Sequence, residues 1–425
     1  MSTLTDPPRA SFRLSQLIYD TRYRSITIQV VAFILILAGF AWLINNTVQN
    51  LAALGKDFNF GFLSSAAGYD INQMLIEYNN QMSHGRAALV GILNTLLVAF
   101  LGCITATLLG VIAGVLRLSK NWVVSRLMAV YVEGFRNVPL LLWIILIFAI
   151  MTESMPQPNQ FRGAEPTASM ILGDHVAVTN RGIWIPRIGF TSSISGNESV
   201  APIDGAAPLA TGGLDWLLIF GTLALSLITI RFVRRRSDRI QEATGVRPKT
   251  WYQQVAILVI PVGVVLIALG VTVVAPYLKG FNFIEGTHLR NSLIALWIAL
   301  SLYTGAFIAE IVRGGILAIS KGQSEAAFAL GLQPGRTMSL VILPQAMRVI
   351  IPPLISQYLN LTKNSSLAIA VGYMDVRATL GGITINQTGR ELEGMLLLGS
   401  FYLLLSLVIS GALNFYNRST QLQER

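Results

Sequence analysis

The sequence predicts an all-α integral membrane protein with about eight transmembrane helices, joined on its outer side by irregular loops with short β-structure. Three observations carry that expectation. Of 425 residues, 53% are hydrophobic and only 12% charged, whereas an ordinary soluble domain carries about 25% charge. Eight apolar segments reach or approach the helix length, about 20 residues, that a hydrocarbon core about 30 Å thick demands. Nearly all Lys and Arg lie at the ends of those segments, where they set topology. The same composition excludes disorder, which needs charge-rich, apolar-poor sequence. The single cysteine, Cys103, excludes a disulfide framework within the chain. His84, His175 and His288 are far apart and have no cysteine neighbours, so no zinc-site spacing exists. The net charge of +10 is not gathered beside aromatics on a polar face, and no nucleic-acid partner is expected.

A leader, 1–25, carries Arg9, Arg13, Arg22 and Arg24. The first span, 26–45, follows it. Phe40-Ala41-Trp42-Leu43-Ile44 offers no small-x-small cleavage site, so this reads as a retained helix. With an outer segment it makes up 26–88. Spans 89–116 and 122–151 form a first core part, 89–151. An insert, 152–285, holds a long outer loop and then spans 214–233 and 253–276. A basic loop containing Arg231, Arg234, Arg235, Arg236 and Arg239 separates those two spans. Spans 289–312, 347–370 and 394–416 fall in a second core part, 286–416, followed by a tail, 417–425. If all eight cross and the N-terminus is inside, the inner face holds 20 of the 31 Lys and Arg and the longer outer loops hold 9. Both termini are then expected to be cytoplasmic. Pro352 and Pro353 in the seventh span make a broken or re-entrant segment the alternative there. Outer segments 46–88 and 152–213 are too long for turns and are expected to form an outer platform. Within the second, His175–Pro186 alternates about a polar centre and predicts a hairpin turning at Asn180-Arg181-Gly182; a disordered loop is the alternative.

Nothing arranges a nucleophile, a base and an orienting acid, so no enzyme chemistry is expected. Gly331-Leu-Gln-Pro-Gly335-Arg336-Thr337 lacks the lysine and the spacing with which a phosphate-binding loop wraps a nucleotide. No cofactor bound by this chain is expected.

The most informative stretch is 313–350. A short helix is predicted over Ser324–Leu330, with Gly331 as its left-handed C-terminal residue. Ala326 and Ala327 permit close approach of another surface. Phe328 and Leu332 are four apart and would share a face able to plug an apolar groove. Glu325, near the predicted helix start, is favourable to the dipole and able to take an arginine or a backbone amide from a partner. A self-contained connecting helix is the alternative.

Glu325-Ala326-Ala327, then Gly331, then nine residues to Val341, Leu343 and Pro344, resembles the signature loop of permease subunits in binding-protein-dependent ABC importers; Val341 for isoleucine is the one departure. Leu302-Tyr303 through Ala306, Ala309, Glu310 and Arg313-Gly314-Gly315 is similar to the polar amino-acid branch. So are Asn94-Thr95-Leu96, Phe135-Arg136-Asn137-Val138-Pro139 and Leu361 through Lys363-Asn364-Ser365-Ser366. The extra first helix and the insert resemble the longer permease subunit of general L-amino-acid importers. The resemblance implies a type I importer permease fold in the bacterial inner membrane, working with a paralogous permease, two ATPase subunits and an extracytoplasmic amino-acid-binding protein. It also implies that ATP and Mg are used by the ATPase partner. Glu325, Ala326, Ala327, Phe328, Gly331, Leu332 and Pro344 would belong to the loop that couples to that ATPase.

Charges at membrane depth need a reason. Lys363 facing lipid would cost about 2.5–3.5 kcal/mol, so it is expected to face the bundle interior or snorkel. Glu133 with Arg136, and Glu310 with Arg313, are spaced for local pairs. Lys363, Asn364, Ser365, Ser366, Arg136 and Glu310 are therefore candidates for the path of an L-amino acid, with structural ion pairs as the competing explanation. A secondary carrier or channel would explain the spans and charges but not the Glu-Ala-Ala loop.

Overall fold

The computed structural model describes residues 21–53, 55, 57–162, 165–194 and 212–420. Most of the leader, including Arg9 and Arg13, the stretch 195–211 and the last five residues of the tail lie outside the described residues.

Helix α1 spans Thr21–Ala53 and α2 spans His84–Leu116, its first turn capped by the Ser83 hydroxyl, which accepts from the Arg86 amide. Apolar segment 122–151, expected as one span, is two helices. They are α3, Trp122–Asn137, and α4, Leu140–Ser154, bent by 107°. The reason is Pro139. Its ring pushes Val138 into extended backbone (φ −109°, ψ 135°), which ends the helix before it. Asn121 caps α3 by accepting from the Val123 and Val124 amides.

The insert carries α5, Gly213–Thr244, and α6, Trp251–Ala268, which pack on each other as a hairpin. The fifth span is shorter than expected. Helix α6 stops at Ala268, Gly270 takes φ +61°, and the β-branched Val271–Val274 is a strand. Helix α7, Asn291–Leu317, and the short α8, Lys321–Ala329, follow.

The seventh span is not broken at its prolines. One turn, Pro334–Thr337, a π-helical segment, Met338–Ile342, helix α9, Leu343–Asn364, and a 3-10 segment, Ser365–Val371, form one run with Pro352 and Pro353 inside it. The π widening directly precedes Pro344, whose missing N–H leaves an unpaired carbonyl one turn back. Gly372 (φ +71°) ends the run, and α10, Glu391–Thr420, is last.

Helices α2 and α7 form the centre of the bundle, with α4 and α9 against them. Val98, Ala106, Ile144, Leu296, Leu300, Ile308 and Leu361 are among their fully or almost fully buried side chains. At one end of the bundle the described residues form three small antiparallel sheets. The predicted hairpin forms from β1, Ala177–Thr179, and β2, Gly182–Ile185, and β2 also pairs with β7, Thr287–Arg290. Strand β3, Arg187–Phe190, pairs with β4, Val271–Val274; β5, Tyr277–Lys279, pairs with β6, Asn282–Ile284. The two halves of the insert thus close on each other, and β7 runs straight into α7.

Candidate coupling surface and buried polar groups

Helix α8 begins at Lys321, one turn earlier than predicted, which places Glu325 in the second turn rather than at the dipole-favoured start. Its end is built as expected. The Leu332 amide donates to the Ala327 carbonyl (3.1 Å), and the Gly331 amide donates to the Phe328 carbonyl (2.9 Å). Gly331 stands at φ +77°. This is the pair of bonds of a Schellman cap. A Cβ on Gly331 would meet nothing within 4 Å, so its requirement is backbone conformation rather than space.

The helix divides into two faces. Ala327 is buried and Leu332 half-buried, turned toward the Met338–Ile342 segment. Glu325, Ala326, Phe328 and Leu330 face outward, Phe328 50% and Leu330 82% exposed. Glu325 makes no hydrogen bond or ion pair among the described residues. Leu332 follows the cap, so it does not share the outward face with Phe328. Pro344, also exposed, lies beyond the π segment that packs against α8.

A charged cluster ties the inner ends of three helices together. Arg117, at the C-terminus of α2, pairs with Glu310 of α7 and reaches Glu133 of α3 at 3.9 Å. Arg313 pairs with Glu310, as the spacing suggested. Glu133 and Arg136 do not pair locally. Arg136 instead lies over the Phe307 ring at 5.2 Å, a cation–π contact, and its Nε is buried without a partner. Arg117 sits at the end of an apolar run, where its sequence position marks no more than a topology charge.

The six candidate path residues therefore fall into two groups. Arg136 and Glu310 stand at the inner end of the bundle. Lys363, Asn364, Ser365 and Ser366 stand where α9 tightens into its 3-10 segment, just past Leu361, which packs on Gly102 midway along α2. Lys363 is exposed on the chain's surface and Asn364 and Ser366 are half-buried. Ser365 is buried and donates to the Thr362 carbonyl, while the Ser366 carbonyl accepts from Arg377 (3.4 Å).

The Asn94-Thr95 pair gains a role that no spacing revealed. Asn94 donates to the Gln73 and Met374 carbonyls (2.7 and 2.9 Å), and Thr95 accepts from the Val376 amide (3.1 Å). They hold the turn after Gly372 and the first outer segment on α2. Asp375 in that turn is fully buried, accepts from the Ala378 amide (2.9 Å), and leaves Oδ2 without a partner. Burial pushes its carboxyl up to about 6.

The family described as the binding-protein-dependent transport system inner membrane component matches residues 249–421. The glutamate/glutamine/aspartate/asparagine transport system permease protein of Rhodobacter capsulatus is 56% identical, with all of both chains covered. The general L-amino acid transport system permease protein of Rhizobium johnstonii is 41% identical over 98% of this chain and 96% of its own. A glutamate/aspartate import permease of Escherichia coli is 29% identical, with 92% of its length covered by 49% of this chain. A stand-alone carrier or channel is not favoured by these relatives. With apolar helices enough for seven or eight crossings and full-length relatives of this kind, the chain belongs to the type I permease subunits of amino-acid ABC importers, multi-pass proteins of the inner membrane whose ATP hydrolysis is the work of separate subunits.

Proposed function

We propose that this chain is the longer of two related permeases that together enclose the path of an L-amino acid, and that α8 is its handle for the ATPase. A receptor on the outer side delivers the substrate; two ATPase subunits, which hold the ATP and Mg, close and move α8 from inside. Both termini are cytoplasmic, as the distribution of Lys and Arg supports. The relative from Rhodobacter capsulatus is named for glutamate, glutamine, aspartate and asparagine, and we take acidic amino acids and their amides as the substrate class. The path passes Lys363, Asn364, Ser365 and Ser366 in the outer half and Arg136 with Glu310 at the inner end.

The observation that carries the coupling role is the outward face of α8. A nine-residue helix with a closed C-terminal cap holds Glu325, Ala326, Phe328 and Leu330 away from its own bundle. Exposed apolar side chains of this size in ordered positions suit a partner's groove. Converting a 1:99 population into 99:1 takes about 5.5 kcal/mol of differential binding, which requires a packed contact. The test is ATP-driven uptake by the reconstituted importer. Glu325→Arg is expected to insert in the membrane and assemble, yet lower uptake at least tenfold. Uptake at the native rate by a Glu325→Arg, Gly331→Val double variant removes α8 from the mechanism.

A further inference from the structure

We propose that the insert builds a receiving site for free amino-acid substrate at the outer mouth of the permease, in which Arg181 and Arg290 take carboxylate groups while Trp184 and Asn291 supply the remaining hydrogen bonds. The proposal rests on the transport reading above and adds to it a place and a preference. The cleft encloses about 670 Å³ beneath the β1–β2–β7 sheet and opens against the outer ends of α4, α7 and α9, a size typical of small-molecule sites.

Its charge has one sign. Arg181 and Arg290 line it and no Asp or Glu does. Arg290 uses its Nε on the Asn72 carbonyl (2.9 Å), and Arg181 uses one Nη1 on the Phe281 carbonyl (3.4 Å). Each guanidinium has five N–H donors, so both keep donors for a carboxylate. Neither makes an ion pair among the described residues.

The cleft also holds unmatched polar atoms of both kinds. Trp184 is 9% exposed and its Nε1–H has no acceptor; Asn291 is 5% exposed and its Oδ1 has no donor. The Asn180 Oδ1 beside it is likewise buried and unpartnered. Buried polar groups are ordinarily paired, and here the three orphans belong to residues that line one cleft. The donor suits a carboxylate oxygen and the two amide oxygens suit an ammonium. An amino acid offers both, and an acidic one adds a second carboxylate for the second arginine.

These groups are fixed in place. Register pairs Trp184 with His288 across β2 and β7, and their rings stack at 4.0 Å and 2°. The His288 Nε2–H donates to the Arg181 carbonyl (3.0 Å), and burial, against that bond, holds its imidazole pKa below the usual range. Asn291 Nδ2 donates to the Asn180 carbonyl. Strand register thus puts Trp184, His288 and Arg290 on one face of β2 and β7.

The experiment compares L-glutamate and L-glutamine uptake by the complete importer in proteoliposomes. Arg181→Gln, at an exposed side chain that folding does not depend on, is expected to lower kcat/KM for glutamate about tenfold relative to glutamine, with Arg181→Lys restoring most of the ratio. Trp184→Phe, which removes one N–H and keeps the stack, is expected to lower uptake of both several-fold. A glutamate-to-glutamine ratio left at the native value by both Arg181→Gln and Arg290→Gln overturns the proposal. So does an equal loss for both substrates traced to weaker receptor docking, which makes the face a protein contact. If the native importer fails to accumulate either substrate with ATP, the transport reading falls. The cleft is then judged by equilibrium binding of labelled glutamate to the complex in nanodiscs without receptor: saturable binding weakened tenfold by Arg181→Gln supports it, and binding absent or unaltered overturns it.

Discussion

Gly331 shows how one residue sets the shape of a surface. Its φ of +77° is cheap for glycine alone, and placing a β-branched side chain there costs about 1–2 kcal/mol. Because no atom lies near its missing Cβ, the loss is in the cap and not in packing. Gly331→Val is therefore expected to loosen the end of α8 while leaving the bundle folded. Hydrogen exchange confined to 325–335 checks this, and Gly331→Asn, which tolerates the left-handed region, is expected to recover most of the protection. Asp375 is the converse case, a carboxyl held where its charge is unwelcome. Its folded value, about 6, lies above the unfolded 3.8. The favourable contribution is complete below 3.8 and is lost as pH rises through about 6, on the order of 3 kcal/mol. Asp375→Asn keeps an acceptor for the Ala378 amide and does not ionise. Its thermal midpoint is expected to exceed the native one by a margin that grows between about pH 4 and pH 6 and levels off above about pH 7; a constant difference from about pH 4 to pH 6 would show that the carboxyl does not titrate in that window.

At the scale of elements, small residues decide which helices touch. A Cβ on Gly110 would stand 2.5 Å from the Ile308 Cβ, and one on Gly114 would stand 2.6 Å from the Ala309 carbonyl. The spacing Gly110-x-x-x-Gly114 permits close helix packing; that α7 is what it packs against required the structure. Gly114→Leu forces the backbones apart and is expected to destabilise the α2–α7 pair by about 1–3 kcal/mol, read as a lower unfolding temperature of the complex in detergent. The third span illustrates the limit of hydropathy. Thirty apolar residues read as one crossing, yet one proline turns the chain through 107°. The two prolines of α9 do not, since the run continues to Val371 around them. Proline is tolerated within membrane helices where neighbours and local adjustments satisfy the freed carbonyls.

Across the whole molecule, the surfaces proposed for coupling and for receiving substrate lie at opposite ends. The inner end carries α8 and the Arg117–Glu310–Arg313 cluster, which joins α2 to α7 beside it. The outer end carries the insert, whose strand β2 pairs with β7 immediately before α7. Deleting 160–205 removes β1, β2 and β3 together and leaves β7 and β4 as unpaired edges. It is expected to abolish uptake while the membrane helices still insert, as protease protection of the inner loops would report; native transport by the deletion would make the platform dispensable.

Much of this was legible in the residues alone. Apolar length, terminal cations and the Glu325–Pro344 pattern sufficed for the membrane class and the family, because these depend on composition and on residues close in sequence. The turn at Asn180-Arg181-Gly182 was legible for the same reason. Only the folded chain decided that Arg117 and not Arg136 meets Glu133, that Asn94 and Thr95 hold the turn at Asp375, and that Arg181, Trp184 and Arg290 line one cleft. The hydrogen-bonded and charged partners lie 16 to 281 residues apart, and Arg290 lies 109 residues beyond Arg181. Which distant side chains meet follows from how the helices and strands pack, and local periodicity carries no information about that.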